Sequence, residues 1–266
     1  MPSPSLILVV PCFNEEARLD GRAFLDFAAS HPASRLVFVD DGSDDRTPAI
    51  LDGLRARAPG AVDVIHLAAN RGKAAAVREG ILAGLRQAPE LVGFWDADLA
   101  TPLAAVDDFL ALASKRPEID IILGSRVMLM GREIHREAWR HYIGRAFATG
   151  VSLTLDLPVY DTQCGAKIFR ADEAIASVFA EPFHSPWIFD VEMIARYLAL
   201  PVGPGQPARR DRIYELAVSS WHHVPGSKLR WTDFVRAVYE LVYIHRRYRR
   251  QRPPDTGDRP LRRGGS

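Results

Sequence analysis

The chain has 266 residues, 47% hydrophobic and 25% charged, with a formal net charge of +1 at pH 7. That is a globular profile long enough for one α/β domain, and it excludes a global nucleic-acid bias, so no nucleic-acid partner is expected. Two cysteines, Cys12 and Cys164, stand in unlike contexts and read as reduced thiols of a cytoplasmic protein rather than a disulfide framework. In chain order, an apolar run predicts a strand at 6–10, too short and without the cationic lead of a secretion signal. A helix is expected at 14–29 with Leu19, Phe24, Leu25 and Phe27 inward, then a strand at 35–39 and the turn Asp40-Asp41-Gly42-Ser43. A helix at 47–58, a strand at 62–67, a helix at 74–87 and a strand ending on Trp95 follow. Pro102 opens the next helix, and 119–124 is a strand.

Strands alternating with helices of this length predict a mostly parallel sheet with helices on both faces. In such sheets ligands bind beyond the C-terminal strand ends. The pattern then changes. A long helix is expected at 136–155, a polar segment at 161–167, a short apolar strand, and a helix from Trp187 to about residue 200. A Pro/Gly loop at 201–207 precedes a last strand at 214–219. The final helix, 231–250, repeats Trp231, Phe234, Val235, Val238, Leu241, Val242 and Ile244 at helical spacing. One domain is expected over 1–250, with halves meeting near residue 124, and a disordered basic tail over 251–266. No window is apolar enough to span a bilayer.

Asp96 and Asp98 end the strand two residues apart, which places both carboxylates on one face. Such a pair suits a hard divalent cation, Mg²⁺ or Mn²⁺, that carries diphosphate oxygens in its other positions. The same spacing also serves loops and caps. Arg71 and Lys73 open a helix, where backbone N–H groups and the helix dipole favour an anion. A solvated first turn is the plainer reading of that pair.

Four segments together resemble family 2 inverting glycosyltransferases of the glycosyltransferase-A fold: Val10-Pro11-Cys12-Phe13-Asn14-Glu15-Glu16, Val39-Asp40-Asp41-Gly42-Ser43, Asn70-Arg71-Gly72-Lys73 and Asp96-Ala97-Asp98. The later segments resemble one branch, the dolichyl-phosphate glucosyltransferases. These are Gly124-Ser125-Arg126, Asp161-Thr162-Gln163-Cys164-Gly165, Trp187 with Phe189-Asp190-Val191-Glu192, and Gly226-Ser227-Lys228-Leu229. A mannosyl branch would carry glutamine where this chain has Ala100. The resemblance covers residues 5 to 248.

The resemblance implies transfer of a hexose, most simply glucose, from a UDP-sugar to a polyprenyl phosphate. It assigns Pro11, Phe13, Glu15, Asp40, Asp41, Arg71, Lys73, Asp96 and Ala97 to the nucleotide-sugar. Asp40 and Asp41 then accept from the uracil or ribose, or else cap the next turn. Phe13 walls the base or joins the core. Asp96 and Asp98 hold Mg²⁺ or Mn²⁺, which offsets the charge on the departing UDP. Asp98, Arg126 and Asp190 form the expected catalytic set. A phosphate acceptor with a second pKa of about 6 needs little help from a base, so Asp190 acts as base or orients the sugar or a cation. Arg126, Arg140 and Lys167 are expected clamps for the acceptor phosphate, or alternatively surface ion-pair partners. Gln163, Cys164 and Trp187 belong to the sugar and acceptor loop, with Cys164 as a packing residue.

The lipid acceptor implies a membrane surface. The 231–250 helix and its following arginines suggest peripheral attachment on the cytoplasmic face, although its apolar stripe also suits ordinary packing. A GDP-mannose donor, a non-lipid acceptor and a non-catalytic nucleotide-binding module are the competing readings.

Overall fold

The computed structural model describes residues 3–126, 133–134, 138–222 and 231–249, with side chains described for 3–126, 147–222 and 236–249. β1 (Leu6–Cys12) is covered on both sides. Ile7 and Val9 enter one apolar layer, while Leu6, Leu8, Val10 and Cys12 enter the other. Successive strand side chains alternate between faces, so a doubly covered strand requires an unbroken apolar run.

β2 (Ser34–Asp40), β3 (Val62–His66) and β4 (Leu91–Trp95) lie parallel to β1 in the spatial order β3-β2-β1-β4. Their connections are α1 (Gly21–Ser30), α2 (Thr47–Arg57) and α3 (Lys73–Leu85). α1 and α2 pack on one face through Phe24, Phe27, Leu51 and Leu54. α3 packs on the other through Ala76, Val77 and Ile81. The strand order therefore reverses between β1 and β4. The crevice beyond their C-terminal ends is the switch point at which open α/β sheets bind ligands.

β5 (Ile121–Ser125), β7 (Ala166–Arg170) and β8 (Ile213–Ala217) extend the sheet to seven strands, ordered β3-β2-β1-β4-β7-β5-β8. β7 runs antiparallel to both β4 and β5. β6 (Glu133–Ile134) and β9 (Ser220–Trp221) form a separate two-residue ladder. α4 (Val106–Lys115) joins the layer of α1 and α2. α5 (Ala138–Leu155), α6 (Glu173–Ala180), α7 (Phe189–Ala199) and α8 (Trp231–Tyr248) join the layer of α3.

Several elements differ from expectation. The first helix starts at Gly21, capped by Asp20, not at residue 14. Residues 14–16 instead dock on the neighbouring loop, with Asn14 N donating to Ser43 Oγ, Glu15 N to Thr47 Oγ1 and Glu16 N to Asp45 Oδ2. Pro102 opens a single 3₁₀ turn before α4. α6 was not anticipated, and the polar 161–167 segment runs directly into the central strand β7. In α8, Ala237 and Ile244 are buried, while Val238, Tyr239 and Val242 are exposed. Its apolar stripe is thus divided between core and surface. Among the described residues no helix is long and apolar enough to cross a membrane. The expected tail at 251–266, the Gly226–Leu229 segment and the side chains of Arg140, Trp231, Phe234 and Val235 lie outside the described residues.

Candidate active site

The switch-point crevice is a cleft of about 210 Å³. Pro11, Cys12 and Phe13 form the β1 side, and Asp96, Ala97 and Asp98 form the β4 side. Glu15, Asp41, Lys73 and Ala76 complete the lining. Phe13 is 41% exposed, which places its ring at the cleft surface and not in the core.

Two turns fix the floor. Gly42 has φ +67 and its Cβ position lies 2.5 Å from the Ala69 carbonyl carbon, so only glycine fits. This close approach lets the Asp41 carboxylate accept from Arg71 N at 2.8 Å and Gly72 N at 2.7 Å. The end of β2 thereby orients the first turn of α3, which presents Lys73. Lys73 Nζ lies 2.5 Å from Asp96 Oδ1. Asp98 Oδ1 accepts from Ala100 N at 3.0 Å, in a turn where Leu99 has φ 51. Gly165 lies against the Asp96 carboxylate, and its carbonyl accepts from Asp96 N at 3.0 Å.

The cleft concentrates negative charge. Burial pushes the Asp98 carboxyl above its ordinary value, and Asp96 adds to the shift. Burial also raises Glu15, partly opposed by its Arg18 partner and reinforced by Asp98 and Asp96. For Lys73, desolvation opposes the charge, but Asp96 and then Asp190 outweigh it and hold the ammonium above the usual lysine value. Among the described residues no three His, Cys, Asp or Glu side chains form a preassembled cage for an ion. The donor set is therefore of the open kind. Two crowded carboxylates suit a hard cation whose remaining positions are filled by diphosphate oxygens.

The acceptor side is built from ion pairs. Asp190 sits in the first turn of α7, and its Oδ1 lies 2.6 Å from Lys167 Nζ. Arg126 forks onto Asp161, with Nε to Oδ2 at 2.6 Å and Nη2 to Oδ1 at 2.8 Å. Burial works against the guanidinium charge, but Asp161 more than offsets it. Trp187 is 38% exposed just ahead of α7.

Four expected roles are not what this geometry provides. Lys167 has no exposed surface, so it does not clamp an entering phosphate. The Arg126 fork is occupied by Asp161. Asp40 does not line the cleft; its oxygens accept from Ser43 N and face His66 Nδ1, each at 3.0 Å. Arg71 turns towards Glu79, 3.7 Å away, and lines a neighbouring hollow with Phe183. Asp41 does line the cleft, with both oxygens already engaged by backbone. Cys164 is buried and approaches Thr101 Oγ1 at 3.8 Å, which is a packing position. Among the described residues, Gln163 Nε2 is buried without a hydrogen-bond partner. Cys12 and Ala76 line the cleft and Gly165 backs Asp96, contributions that sequence reasoning missed. For Cys12 and Gly165 the signal was present in their motifs, whereas Ala76 had none beyond its helical position.

A family model described as glycosyl transferase family 2 matches residues 7–175. The dolichyl-phosphate beta-glucosyltransferase of Mus musculus is 31% identical over 264 residues, covering 93% of this chain and 76% of the relative. The Saccharomyces cerevisiae protein of the same name is 32% identical over 274 residues, covering 91% and 75%. Among solved structures, glucosyl-3-phosphoglycerate synthase from Mycobacterium tuberculosis, in complex with Mn²⁺, UDP-glucose and phosphoglyceric acid, aligns with a TM-score of 0.62 at 13% identity, covering 91% of this chain and 78% of that one. A Pyrobaculum calidifontis mannosyltransferase in complex with GDP-mannose and Mn²⁺ gives 0.61 at 16% identity, covering 94% and 66%. These structural likenesses show the glycosyltransferase-A fold. With the family model spanning most of the sheet and the sequence relatives spanning nearly the whole chain, this protein belongs to glycosyl transferase family 2.

Proposed function

We propose that the protein transfers glucose, with inversion, from UDP-glucose to a polyprenyl phosphate. The observation that carries this reading is the cleft at the β1/β4 switch point, where Asp96 and Asp98 face Lys73 at the first turn of α3. The names of the sequence relatives support the sugar and the lipid, and Ala100 favours the glucosyl branch.

In this reading Phe13 and Pro11 wall the base. The start of α3, fixed by the Asp41 carboxylate on Arg71 N and Gly72 N, presents Lys73 and the positive end of the helix to the diphosphate. Asp96 and Asp98 would hold Mg²⁺ or Mn²⁺. The ion, when bound, offsets negative charge on the leaving diphosphate. The acceptor is already an oxyanion near neutral pH, so Asp190 is not required to remove a proton. Asp190 instead shapes the acceptor side, paired with Lys167.

A lipid acceptor requires access to a membrane. On the α5/α8 surface Leu153 is 76%, Val238 61%, Tyr239 69% and Val242 46% exposed. Arg246 and Arg247 follow on α8, and Arg249 comes just past its end. We infer that this surface attaches peripherally to the cytoplasmic face of an anionic membrane.

Nucleotide-dependent thermal protection tests the donor assignment. UDP with Mn²⁺ is expected to raise the unfolding temperature saturably, and GDP to do so less. A stronger saturable shift with GDP would overturn the uridine reading and favour a mannosyl donor.

A further inference from the structure

Lys167 is a fully buried lysine in the middle of the sheet. It stands on β7 opposite Phe94 of β4 and Leu123 of β5. Its ammonium lies 2.6 Å from Asp190 Oδ1 and donates to the Cys164 carbonyl at 2.6 Å. It also sits 5.1 Å from the Phe94 ring centroid. Lys73 Nζ lies 5.9 Å from the same centroid and holds Asp96. Two lysines thus share one ring, one tied to the donor-side carboxylate and the other to the acceptor-side carboxylate.

The Cys164 carbonyl matters because the next residue meets Asp96. Gly165 O accepts from Asp96 N, and a Cβ at Gly165 would fall 1.8 Å from Asp96 Oδ2. Lys167 therefore grips both the turn against which Asp96 rests and the first turn of α7 that carries Asp190. A buried ion pair is weak evidence for stability, because apolar replacements of similar volume are often neutral or better. Its placement between the turn that backs Asp96 and the first turn of α7 that carries Asp190 gives it another use. We propose that Lys167 is a positioning residue that sets Asp96 and Asp190 relative to one another for sugar transfer, and that it contacts neither substrate. This rests on the glycosyl-transfer reading above.

The test compares Lys167→Met, Lys167→Arg, Asp190→Asn and the double variant Lys167→Met/Asp190→Asn. For each, kcat and KM are measured with UDP-glucose and polyprenyl phosphate, and UDP–Mn²⁺ affinity by calorimetry. Lys167→Met is expected to lower kcat about 100-fold, as misplaced reacting groups do. Its acceptor KM should stay near wild type, and its UDP–Mn²⁺ affinity should fall. Arginine should not rescue, because its guanidinium is bulkier and differently shaped from the ammonium this fully buried position encloses. The double variant should be no worse than the more damaging single change, since groups acting as a unit are non-additive. If Lys167→Met does not fold, the double variant carries the test, because it leaves no unpaired buried charge.

Wild-type kcat in either Lys167 variant would overturn the proposal. A raised acceptor KM with unchanged kcat, partly rescued by arginine, would also overturn it in favour of a phosphate clamp. A wild-type protein that transfers no hexose defeats the functional reading instead. The UDP–Mn²⁺ affinity of Lys167→Met then still reads the positioning of Asp96, and an unchanged affinity counts against it.

Discussion

Gly165→Ala is the sharpest perturbation of the cleft, because it changes one atom behind a candidate metal ligand. An added Cβ would stand 1.8 Å from Asp96 Oδ2, 2.1 Å from Cγ and 2.6 Å from Oδ1. Heavy atoms pack at about 3.5 Å, so the carboxylate must retreat by about 1.7 Å. That movement separates it from Lys73, which it meets at 2.5 Å. A displacement of about 1 Å in a catalytic constellation costs on the order of 100-fold in rate, or about 2.7 kcal/mol of barrier. Overpacking adds a stability cost of about 1–3 kcal/mol, a fall of several degrees in Tm for a chain of this size. Initial rates across a Mn²⁺ titration, read beside thermal melts, separate the two effects. Folded Gly165→Ala protein with a wild-type rate and unchanged metal dependence would refute the claim that Asp96 works from its observed seat.

Three further outcomes are expected. Asp98→Ala should abolish metal-dependent transfer while preserving the fold, since Asp98 lies beyond the strand end and supports no core; near-normal turnover in folded protein would remove the metal assignment. His66 lies between Asp40 at 3.0 Å and Asp52 at 3.2 Å; burial opposes its charge, but the two carboxylates raise its pKa above the ordinary 6.5. The folded state then holds the proton more tightly, so this contribution is complete below about pH 6.5 and fades as pH rises through the folded pKa. Tm should fall over that window, and His66→Gln should flatten the fall; an unaltered profile in the variant would sink the linkage. Co-sedimentation with anionic vesicles should weaken as salt rises, because screening acts over about 8 Å at physiological ionic strength, and truncation after Tyr243 should weaken it further. Indifference to vesicles at low salt would make the exposed face of α8 ordinary surface.

The parallel half of the fold was legible because each strand is an unbroken apolar run ended by polar turn residues. Asp96, Asp98, Lys73, Pro11, Phe13 and Glu15 were legible as a group, since each lies at or just past a strand's C-terminal end or opens a helix, and the topology brings those ends together. Lys167 was misread for an equally physical reason. Its local sequence is polar, and nothing short of the antiparallel insertion of β7 between β4 and β5 reveals that it is enclosed. Asp40 and Asp41 were read as uracil or ribose contacts or as caps of the next turn, and Asp40 takes the second role by accepting from Ser43 N. The close approach at Gly42 turns Asp41 onto the α3 turn instead. The start of α1 was placed too early because residues 14–20 carry helix-compatible side chains, while the backbone N–H groups of residues 14–16 go to side chains of the 43–47 loop. Those partners lie about 30 residues away and leave no local trace.

The most direct measurement is transfer itself. The full chain is incubated with Mn²⁺, a panel of UDP- and GDP-sugars and a polyprenyl phosphate in mixed micelles, and the lipid product is identified by mass. The account predicts a hexosyl polyprenyl phosphate formed from UDP-glucose, dependent on divalent metal and absent in Asp98→Ala. Lipid product formed from GDP-mannose alone, or UDP-glucose consumed only when a soluble acceptor replaces the lipid, would contradict it.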